Sequence, residues 1–260
     1  MGGVFDKMGK YSKALEFLEK ALEMRQRTLP QNHPDLAQSF NNIGGLYHNM
    51  GEYSKAIASH QTVLEINEKT LLSNHPSLAI SYNNMGTVYY EMKEYKKAVG
   101  YYGQACKIYQ QVSPPDHPFL TTSYSNIGSA LDCMGMYSQA ISFHEKALAI
   151  DQKALPPYHP SLAANYNSIS AVYSSMGKYS KALFYSEKAL EMYQKELSPN
   201  HPLLVTAYNH IGFIYNKMGE YSKSLSFYAR GIEVAQHSLP SHHHNLQNLQ
   251  ENIYSVKNKL

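Results

Sequence analysis

Charged residues are scarce in this sequence and nearly cancel. Lys and Arg total 23 and Asp and Glu total 20, so that charged residues make up 17% of the 260 and the formal net charge is +3. An average globular protein has about 25% charged residues. Since binding to nucleic-acid phosphates depends on clustered basic side chains, this composition argues against nucleic acid as the main partner.

Long apolar runs are also absent. No stretch approaches the roughly 18 consecutive apolar residues of a membrane span. The segment that starts at Met1 lacks the apolar region of a secretory signal. We therefore expect a cytoplasmic protein that does not bind a membrane.

Cysteine occurs only twice, at Cys106 and Cys133. Two cysteines are too few for a disulfide framework in a chain of this length. We expect both to be free thiols that serve as ordinary packing residues in a reducing compartment.

An internal repeat of 42 residues runs through the chain without insertions. Its anchor is a His-Pro dipeptide, found at His33-Pro34, His75-Pro76, His117-Pro118, His159-Pro160 and His201-Pro202, and the next step falls on His243. A tyrosine keeps the same spacing at Tyr11, Tyr53, Tyr95, Tyr137, Tyr179 and Tyr221. A fixed period of about 20 to 50 residues indicates a stacked array of small units.

Two helices are predicted in each repeat. Apolar residues from Leu36 to Met50 are spaced by three and four positions, which is typical of one face of a helix, here named helix A. A second helical pattern, helix B, begins at Tyr53 after Gly51. Glycine commonly ends a helix, and the proline of His-Pro suits a first helical turn. Because a helix pair alone leaves an apolar face exposed, the pairs are predicted to stack into an all-α solenoid.

A small residue recurs in the middle of helix A, at Gly44, Gly86, Gly128, Ser170 and Gly212. Glycine inside a helix costs about 1 kcal/mol relative to alanine. Close approach of helix B is the predicted reason for this ladder.

These positions together resemble the tetratricopeptide repeat. The resemblance is carried by an aromatic residue in helix A (Phe40, Tyr82, Tyr124, Tyr166 and Tyr208), the following apolar-glycine pair, a further tyrosine (Tyr47, Tyr89, Tyr173 and Tyr215) and an alanine in helix B. With its 42-residue period and paired asparagines, the array is similar to those of kinesin light chains and nephrocystin-3-like proteins. The resemblance implies a superhelix of antiparallel α-α repeats whose A helices line a concave groove.

The expected organisation follows from the period. It comprises a partial repeat at 1–32 (the end of a helix A and a helix B), full repeats at 33–74, 75–116, 117–158, 159–200 and 201–242, and a C-terminal capping helix at 243–260. Because Met1 aligns with the middle of a helix A, we expect a fragment of a longer protein. Its uncapped N-terminal end could support self-association.

Asparagines on helix A are the candidate binding residues. Their amides can donate and accept together, which suits the backbone of an extended peptide in the groove. The predicted groove residues are Asn41, Asn42, His48, Asn83, Asn84, Tyr90, Asn126, Asn167, Asn209 and Asn216. The alternative interpretation is that the asparagines bond neighbouring helices or water.

No catalytic or metal-binding pattern is found. The His-Pro histidines occur once per repeat, which is too far apart to share a metal ion, and the run His242-His243-His244 favours a solvated loop. The sequence has no glycine-rich phosphate loop and no Gly-x-Ser-x-Gly elbow. We expect no enzyme activity, no metal site and no cofactor.

The expected function is therefore a scaffold that binds a linear peptide segment of a partner protein. A second hypothesis makes this chain the cargo-binding or targeting arm of a larger protein, such as a kinesin light chain-like adaptor or an enzyme like an ADP-ribosyltransferase whose catalytic domain lies elsewhere. A helical-repeat RNA reader is disfavoured because helix A lacks basic groove residues.

Overall fold

The computed structural model describes residues 11–112, 114, 117–238, 240 and 243–260, and within these ranges the chain forms twelve α-helices and no strand. The helices are α1 (Tyr11–Thr28), α2 (Pro34–Asn49), α3 (Tyr53–Thr70), α4 (Pro76–Glu91), α5 (Tyr95–Val112), α6 (Pro118–Cys133), α7 (Tyr137–Ala154), α8 (Pro160–Ser175), α9 (Tyr179–Glu196), α10 (Pro202–Lys217), α11 (Tyr221–Ser238) and α12 (His244–Lys257). The predicted end of a helix A within residues 1–10, and His242, lie outside the described residues.

Helices of two kinds alternate along the chain. The A helices α2, α4, α6, α8 and α10 each have 16 residues, and the B helices α1, α3, α5, α7, α9 and α11 each have 18. Each range from 33–74 to 201–242 contains one A helix followed by one B helix. The prediction of an all-α solenoid of helix pairs is confirmed.

The chain forms two compact units, of which one ends at Met134 and the other begins at Gly135. In the first unit each helix from α1 to α6 packs against the next one in sequence. In the second unit the same holds from α7 to α12, and α12 also contacts α10. Stacking of each pair on its neighbour therefore buries the apolar faces within each unit.

A histidine imidazole caps the N-terminus of each A helix. In α2, Nδ1 of His33 accepts a hydrogen bond from the backbone N–H of Asp35. The same bond is made by His75, His117, His159, His201 and His243, with N···N distances between 3.1 and 3.3 Å over the whole set. Because helix N-termini have free N–H groups, each cap satisfies one of them. These imidazoles must have an unprotonated Nδ1, so the periodic histidine is a structural residue.

The turn from helix A to helix B requires a left-handed residue. Gly51 has φ of +75°, and three other repeats also place a glycine there. In the second repeat this position is Lys93, with φ of +61°. Lys93 thus adopts a conformation that a side chain disfavours, because the N–H groups of residues 93 and 94 must bond the last carbonyls of α4.

Polar bonds join each B helix to the next A helix at a separation of 14 residues. They comprise Arg25–Ser39, Asn67–Ser81, Glu68–Tyr82, Gln110–Tyr124, Asp151–Asn165, Gln152–Tyr166 and Gln194–Tyr208. The two partners change together along the chain: Asn67 and Ser81 form one pair, and Asp151 and Asn165 occupy the same two positions in a later pair. These bonds therefore help to fix the packing of a B helix against the next A helix.

The small residue in the middle of helix A lies against a large side chain of helix B. A Cβ atom on Gly86 would lie 2.6 Å from Cδ1 of Tyr102, and one on Gly212 would lie 2.6 Å from Cδ1 of Tyr228. In the fourth repeat Ser170 replaces the glycine, and its Oγ lies 2.7 Å from Oγ of Ser186. The predicted packing role of this position is therefore observed directly.

We expect Gly86→Leu to lower the free energy of unfolding by about 1–3 kcal/mol, because the new side chain overlaps the buried ring of Tyr102. Chemical denaturation followed by circular dichroism measures the change. Gly100→Leu is the matched control, since apart from the backbone of α5 no atom of the described residues lies within 4 Å of a Cβ placed on exposed Gly100. An unchanged midpoint for Gly86→Leu would contradict the packing role.

Buried histidines make stability depend on pH. Burial, with a smaller contribution from nearby His48, lowers the pKa of His60 from 6.5 to about 4, and burial lowers the pKa of His144 to about 4. The unfolded chain therefore binds more protons than the folded chain between these values. The stability that depends on these two neutral histidines is fully present above about pH 6.5 and is lost as the pH falls toward 4.

We expect acidification to about pH 5 to remove on the order of 2 kcal/mol of unfolding free energy for each of these two imidazoles. Urea denaturation at a series of pH values measures this loss. The variant His60→Tyr/His144→Tyr, which places the side chain of Tyr102 and Tyr228 at both positions, should show a shallower decline. An identical pH profile in the variant would exclude these histidines as the cause.

Candidate functional site

All the predicted groove residues lie on A helices. Asn42 is exposed, and the other nine predicted residues are half-buried. Seven belong to the first unit (Asn41, Asn42, His48, Asn83, Asn84, Tyr90 and Asn126) and three to the second (Asn167, Asn209 and Asn216).

Asparagines of consecutive A helices bond each other. The Nδ2 of Asn84 in α4 donates to Oδ1 of Asn41 in α2 at 2.8 Å. In the second unit Asn252 of α12 donates to Oδ1 of Asn209 in α10 at 2.9 Å. The two residues of each pair are 43 positions apart, which is one repeat of 42 plus one residue. Asn84 therefore bonds Asn41, and not Asn42, which is its equivalent in the preceding repeat.

Two other asparagines of the same register bond the B helix of their own repeat. Burial raises the pKa of the Tyr109 hydroxyl, and a hydrogen bond with the Asn83 side chain partly offsets this rise. Tyr193 and Asn167 form the equivalent pair. The buried Oδ1 atoms of Asn83 and Asn167 have no hydrogen-bond partner among the described residues. The asparagines thus bond neighbouring helices, while part of their hydrogen-bonding capacity stays unused.

Two pockets meet at the predicted residues of α2. The first, here named the α2/α4 pocket, has a volume of about 250 Å³ and is lined by Asn41, Gly45, His48, His60, Asn84, Thr87 and Val88. The second, of about 390 Å³, is lined by Leu18, Asn41, Asn42, Gly45, Leu46, His48 and Asn49. Four of the predicted groove residues therefore contribute to one continuous region of the surface.

Gly45 opens this region. Apart from the backbone of α2 itself, no atom of the described residues lies within 4 Å of a Cβ placed on Gly45. The equivalent residue in α10 is Phe213, which is exposed. The absence of a side chain in α2 therefore makes the room that both pockets share.

His60 is a pocket residue that sequence reasoning missed. It belongs to helix B and is only 4% exposed, yet it lines the α2/α4 pocket together with His48 of helix A. Nδ1 of His60 and Nε2 of His48 are buried without a hydrogen-bond partner among the described residues. A signal was present in the sequence, because His60 occupies the register of Tyr102 and Tyr228, which face helix A.

Tyr90 lies at the C-terminal end of the α4 groove face. Its hydroxyl lies 3.5 Å from Sγ of Cys133 in α6, again 43 residues away. Neither cysteine forms a disulfide, and Cys106 is buried whereas Cys133 is exposed. The prediction of a packing role for both is therefore wrong for Cys133, which lies at an exposed helix end.

The C-terminal helix continues the pattern of the A helices. Lys259, just after α12, donates to Oδ1 of Asn216 at 3.1 Å, and His243 caps α12 as in the repeats. Asn209 and Asn216 are thus both bonded to this segment. Its residues Asn252 and Lys259 were not among the predicted groove residues.

The remaining chemistry of the surface is limited. Within the described residues no group of three or more His, Cys, Asp or Glu side chains is placed to hold a metal ion. None of the described helices combines the length and apolar character needed to cross a bilayer.

Comparison with known proteins gives one family and a set of similar folds. The family model described as tetratricopeptide repeat matches residues 1–69, 35–111, 119–195 and 161–237. No match was found among the curated proteins.

Three solved structures illustrate the likeness. A Podosopora anserina protein described as a kinesin light chain with nearly identical TPR-like repeats is 25% identical, with a TM-score of 0.68 over 75% of this chain and 92% of that one. A Rap protein complexed with Competence and Sporulation Factor is 21% identical, with a TM-score of 0.68 over 95% of this chain and 62% of that one. A signal transduction ATPase with a tetratricopeptide repeat sensor from Pyrococcus horikoshii is 18% identical, with a TM-score of 0.74 over 99% and 38%.

Lysines recur early in helix B, two residues after its first tyrosine. The side chains of Lys55, Lys97 and Lys223 are exposed and pair with a glutamate three residues earlier. The ammonium groups of these three lysines and of Lys181 also lie over tyrosine rings of helix A, at 5.3 to 5.4 Å from the ring centroids. The pairs are Lys55–Tyr47, Lys97–Tyr89, Lys181–Tyr173 and Lys223–Tyr215. The third repeat has Leu131 and Gln139 at the two positions, so the cation and the ring are replaced together.

We expect the Lys97–Tyr89 pair to show a coupling free energy of about 0.5–1 kcal/mol in a double-mutant cycle. The cycle uses Lys97→Gln and Tyr89→Leu, which are the residues of the third repeat at these positions, and urea denaturation supplies the four unfolding free energies. Additive effects of the two substitutions would show that the lysines are merely solvated.

Proposed function

The chain belongs to the tetratricopeptide repeat family, and we propose that it is a non-enzymatic scaffold that binds an extended segment of a partner protein along its A helices. The tetratricopeptide fold generally serves protein interaction without catalysis. The proposed contact residues are the predicted groove residues, extended by Gly45 and His60 in the first unit. We propose the cytoplasm as the place where this interaction occurs.

The observation that carries the proposal is the convergence of pockets on Asn41. This residue lines the α2/α4 pocket, the adjoining pocket that reaches Leu18, and a third pocket of about 370 Å³ that extends along α2 and α4 to Ile80. Ile80 is 46% exposed. A run of connected pockets with apolar and amide groups suits a peptide in extended conformation, whose backbone needs donors and acceptors at regular intervals.

The asparagine bonds are compatible with binding. Asn41 accepts a hydrogen bond from Asn84 through Oδ1, and this bond fixes the orientation of the Asn41 amide. Because a fixed amide loses little entropy when it bonds a ligand, such pairs are suited to holding a peptide carbonyl. The Rap protein bound to Competence and Sporulation Factor is a protein of similar fold, and it supports a peptide ligand by analogy.

A second candidate function makes this chain the binding arm of a larger protein. The Pyrococcus horikoshii relative supports it, because this chain spans only 38% of that protein, which carries a tetratricopeptide repeat sensor. A kinesin light chain-like adaptor, or an enzyme such as an ADP-ribosyltransferase, would use the same groove. Self-association through the N-terminal end, which includes residues outside the described ranges, is a further proposal.

Filling the groove tests the proposal more cleanly than removing asparagines, because several of those asparagines bond neighbouring helices. We expect Gly45→Phe, which introduces the side chain found at Phe213, to weaken binding of peptides selected from a random displayed library by at least about tenfold. Isothermal titration with synthetic copies of the selected peptides gives the dissociation constants.

Gly100→Phe is the matched control, since Gly100 is an exposed residue of helix B with open space around it. It should leave the dissociation constants unchanged, and circular dichroism should show equal helicity in both variants. A library that yields no peptide, or peptides that bind Gly45→Phe as tightly as the original chain, would reject the groove as the binding site.

A further inference from the structure

The α2/α4 pocket contains hydrogen-bond donors that a carboxylate could use. Asn41 Oδ1 is already occupied by the N–H of Asn84, so what Asn41 presents to a ligand is its amide N–H groups. Each neutral imidazole of His48 and His60 adds one ring N–H, and a protonated imidazole adds two. Asn84 Oδ1 and the bare nitrogen of each neutral imidazole are acceptors, but protonation converts an imidazole into a donor at both nitrogens, which suits a carboxylate.

No formal charge lines this pocket. Its residues are Asn41, Gly45, His48, His60, Asn84, Thr87 and Val88, which include no carboxylate and no Lys or Arg side chain. The titratable groups around it are His48 from α2, whose ring centroid lies 6.0 Å from that of Tyr53 of α3, His60 from α3, and Tyr102 of α5, whose hydroxyl donates to Oγ1 of Thr87. The α4 wall contributes only Asn84, Thr87 and Val88. The charge of the pocket is therefore set by the two imidazoles.

Both imidazoles have an unsatisfied nitrogen. His60 is 96% buried, its Nδ1 has no hydrogen-bond partner among the described residues, and the same holds for the buried Nε2 of His48. Burial and the neighbouring His48 lower the pKa of His60 to about 4. A negative ligand group in the pocket would compensate this cost of burial and favour the protonated form.

We infer that the α2/α4 pocket receives one carboxylate side chain, from an aspartate or glutamate of the bound segment, and that the buried imidazole of His60 takes up a proton from solvent when it binds. The inference rests on the proposed function and specifies the ligand chemistry at one point of the groove. Gly45 supplies the entrance, and the amide N–H groups of Asn41 supply donors that need no protonation.

The pair of histidines is specific to this repeat. At the register of His48 the later repeats have Tyr90, Asp132, Ser174 and Asn216, and at the register of His60 they have Tyr102, His144, Ser186 and Tyr228. No later repeat places an imidazole at both positions. The acidic residue of a ligand would thus be fixed at α2 and α4, which would set the register of the peptide.

Proton uptake gives the binding a defined pH dependence. Because the complex would hold more protons than the free chain, affinity for an acidic peptide should increase as the pH falls from about 8 to about 6. Below the pKa of the peptide carboxyl, near 4.3, the increase should stop because the ligand loses its charge.

Matched peptides test this inference. Peptides selected from the random displayed library at about pH 6 are synthesised in an acidic form and in the isosteric amide form, with each Glu or Asp changed to Gln or Asn. We expect the acidic form to bind the full chain about tenfold more tightly than the amide form at pH 6, and less than about threefold more tightly at pH 8.

His60→Tyr should abolish both the acidic preference and its pH dependence while keeping the fold, because tyrosine occupies this register at Tyr102 and Tyr228. His144→Tyr is the matched control: it replaces a buried histidine of the same register in the other unit and should change neither quantity. Circular dichroism shows whether both variants keep the same helicity.

Two outcomes would overturn the inference and are distinguishable from failure of the proposed function. Equal affinities of the acidic and amide peptides, with binding still sensitive to Gly45→Phe, would leave the peptide groove standing and remove the carboxylate pocket. An acidic preference that survives unchanged in His60→Tyr would place the carboxylate elsewhere. If the chain binds no peptide from the library, both proposals are rejected together.

Discussion

Within each unit, the contact between the middle of an A helix and the B helix that follows is the constraint on which the other features of the repeats depend. The ring of Tyr102 packs directly against the backbone of Gly86, and a Cβ atom on Gly86 would lie 2.6 Å from Cδ1 of that ring. Ser170 and Ser186 solve the same problem with two small polar side chains that bond each other. Because every repeat must present a small residue at the same height, an insertion in any helix would misplace all later contacts, which accounts for the unbroken period.

Polar side chains satisfy the helix ends and junctions that this stacking creates. The histidine caps bind free N–H groups at the start of each A helix, and the bonds between residues 14 apart join one repeat to the next. The Asn41–Asn84 pair joins two consecutive A helices in the same way. In the proposed groove, the amide groups that this bond leaves unused would be available to a ligand, so a structural role does not exclude the proposed binding role.

Binding specificity is expected where the period allows variation. Residues at the helix crossings are constrained by packing, whereas the groove registers differ between repeats, as Gly45 and Phe213 illustrate. In the first full repeat this freedom combines an open position with two imidazoles, His48 and His60. The second unit has Asn216 and Tyr228 at these two registers, so its chemistry there is different.

The sequence by itself determined the helices and their limits, because these depend on local chemistry. The His-Pro start, the small residue at mid-helix and the glycine stop act within a few residues of their own position, and repetition multiplies the signal. The tertiary structure alone decided which side chains meet across helices. Asn41 bonds Asn84 at a distance of 43 residues, and His60 lies beside His48 although it belongs to the other helix of its repeat. Such contacts depend on the spacing and rotation of packed helices, and a periodic pattern gives the faces of helices without giving the ångström-scale offsets between them.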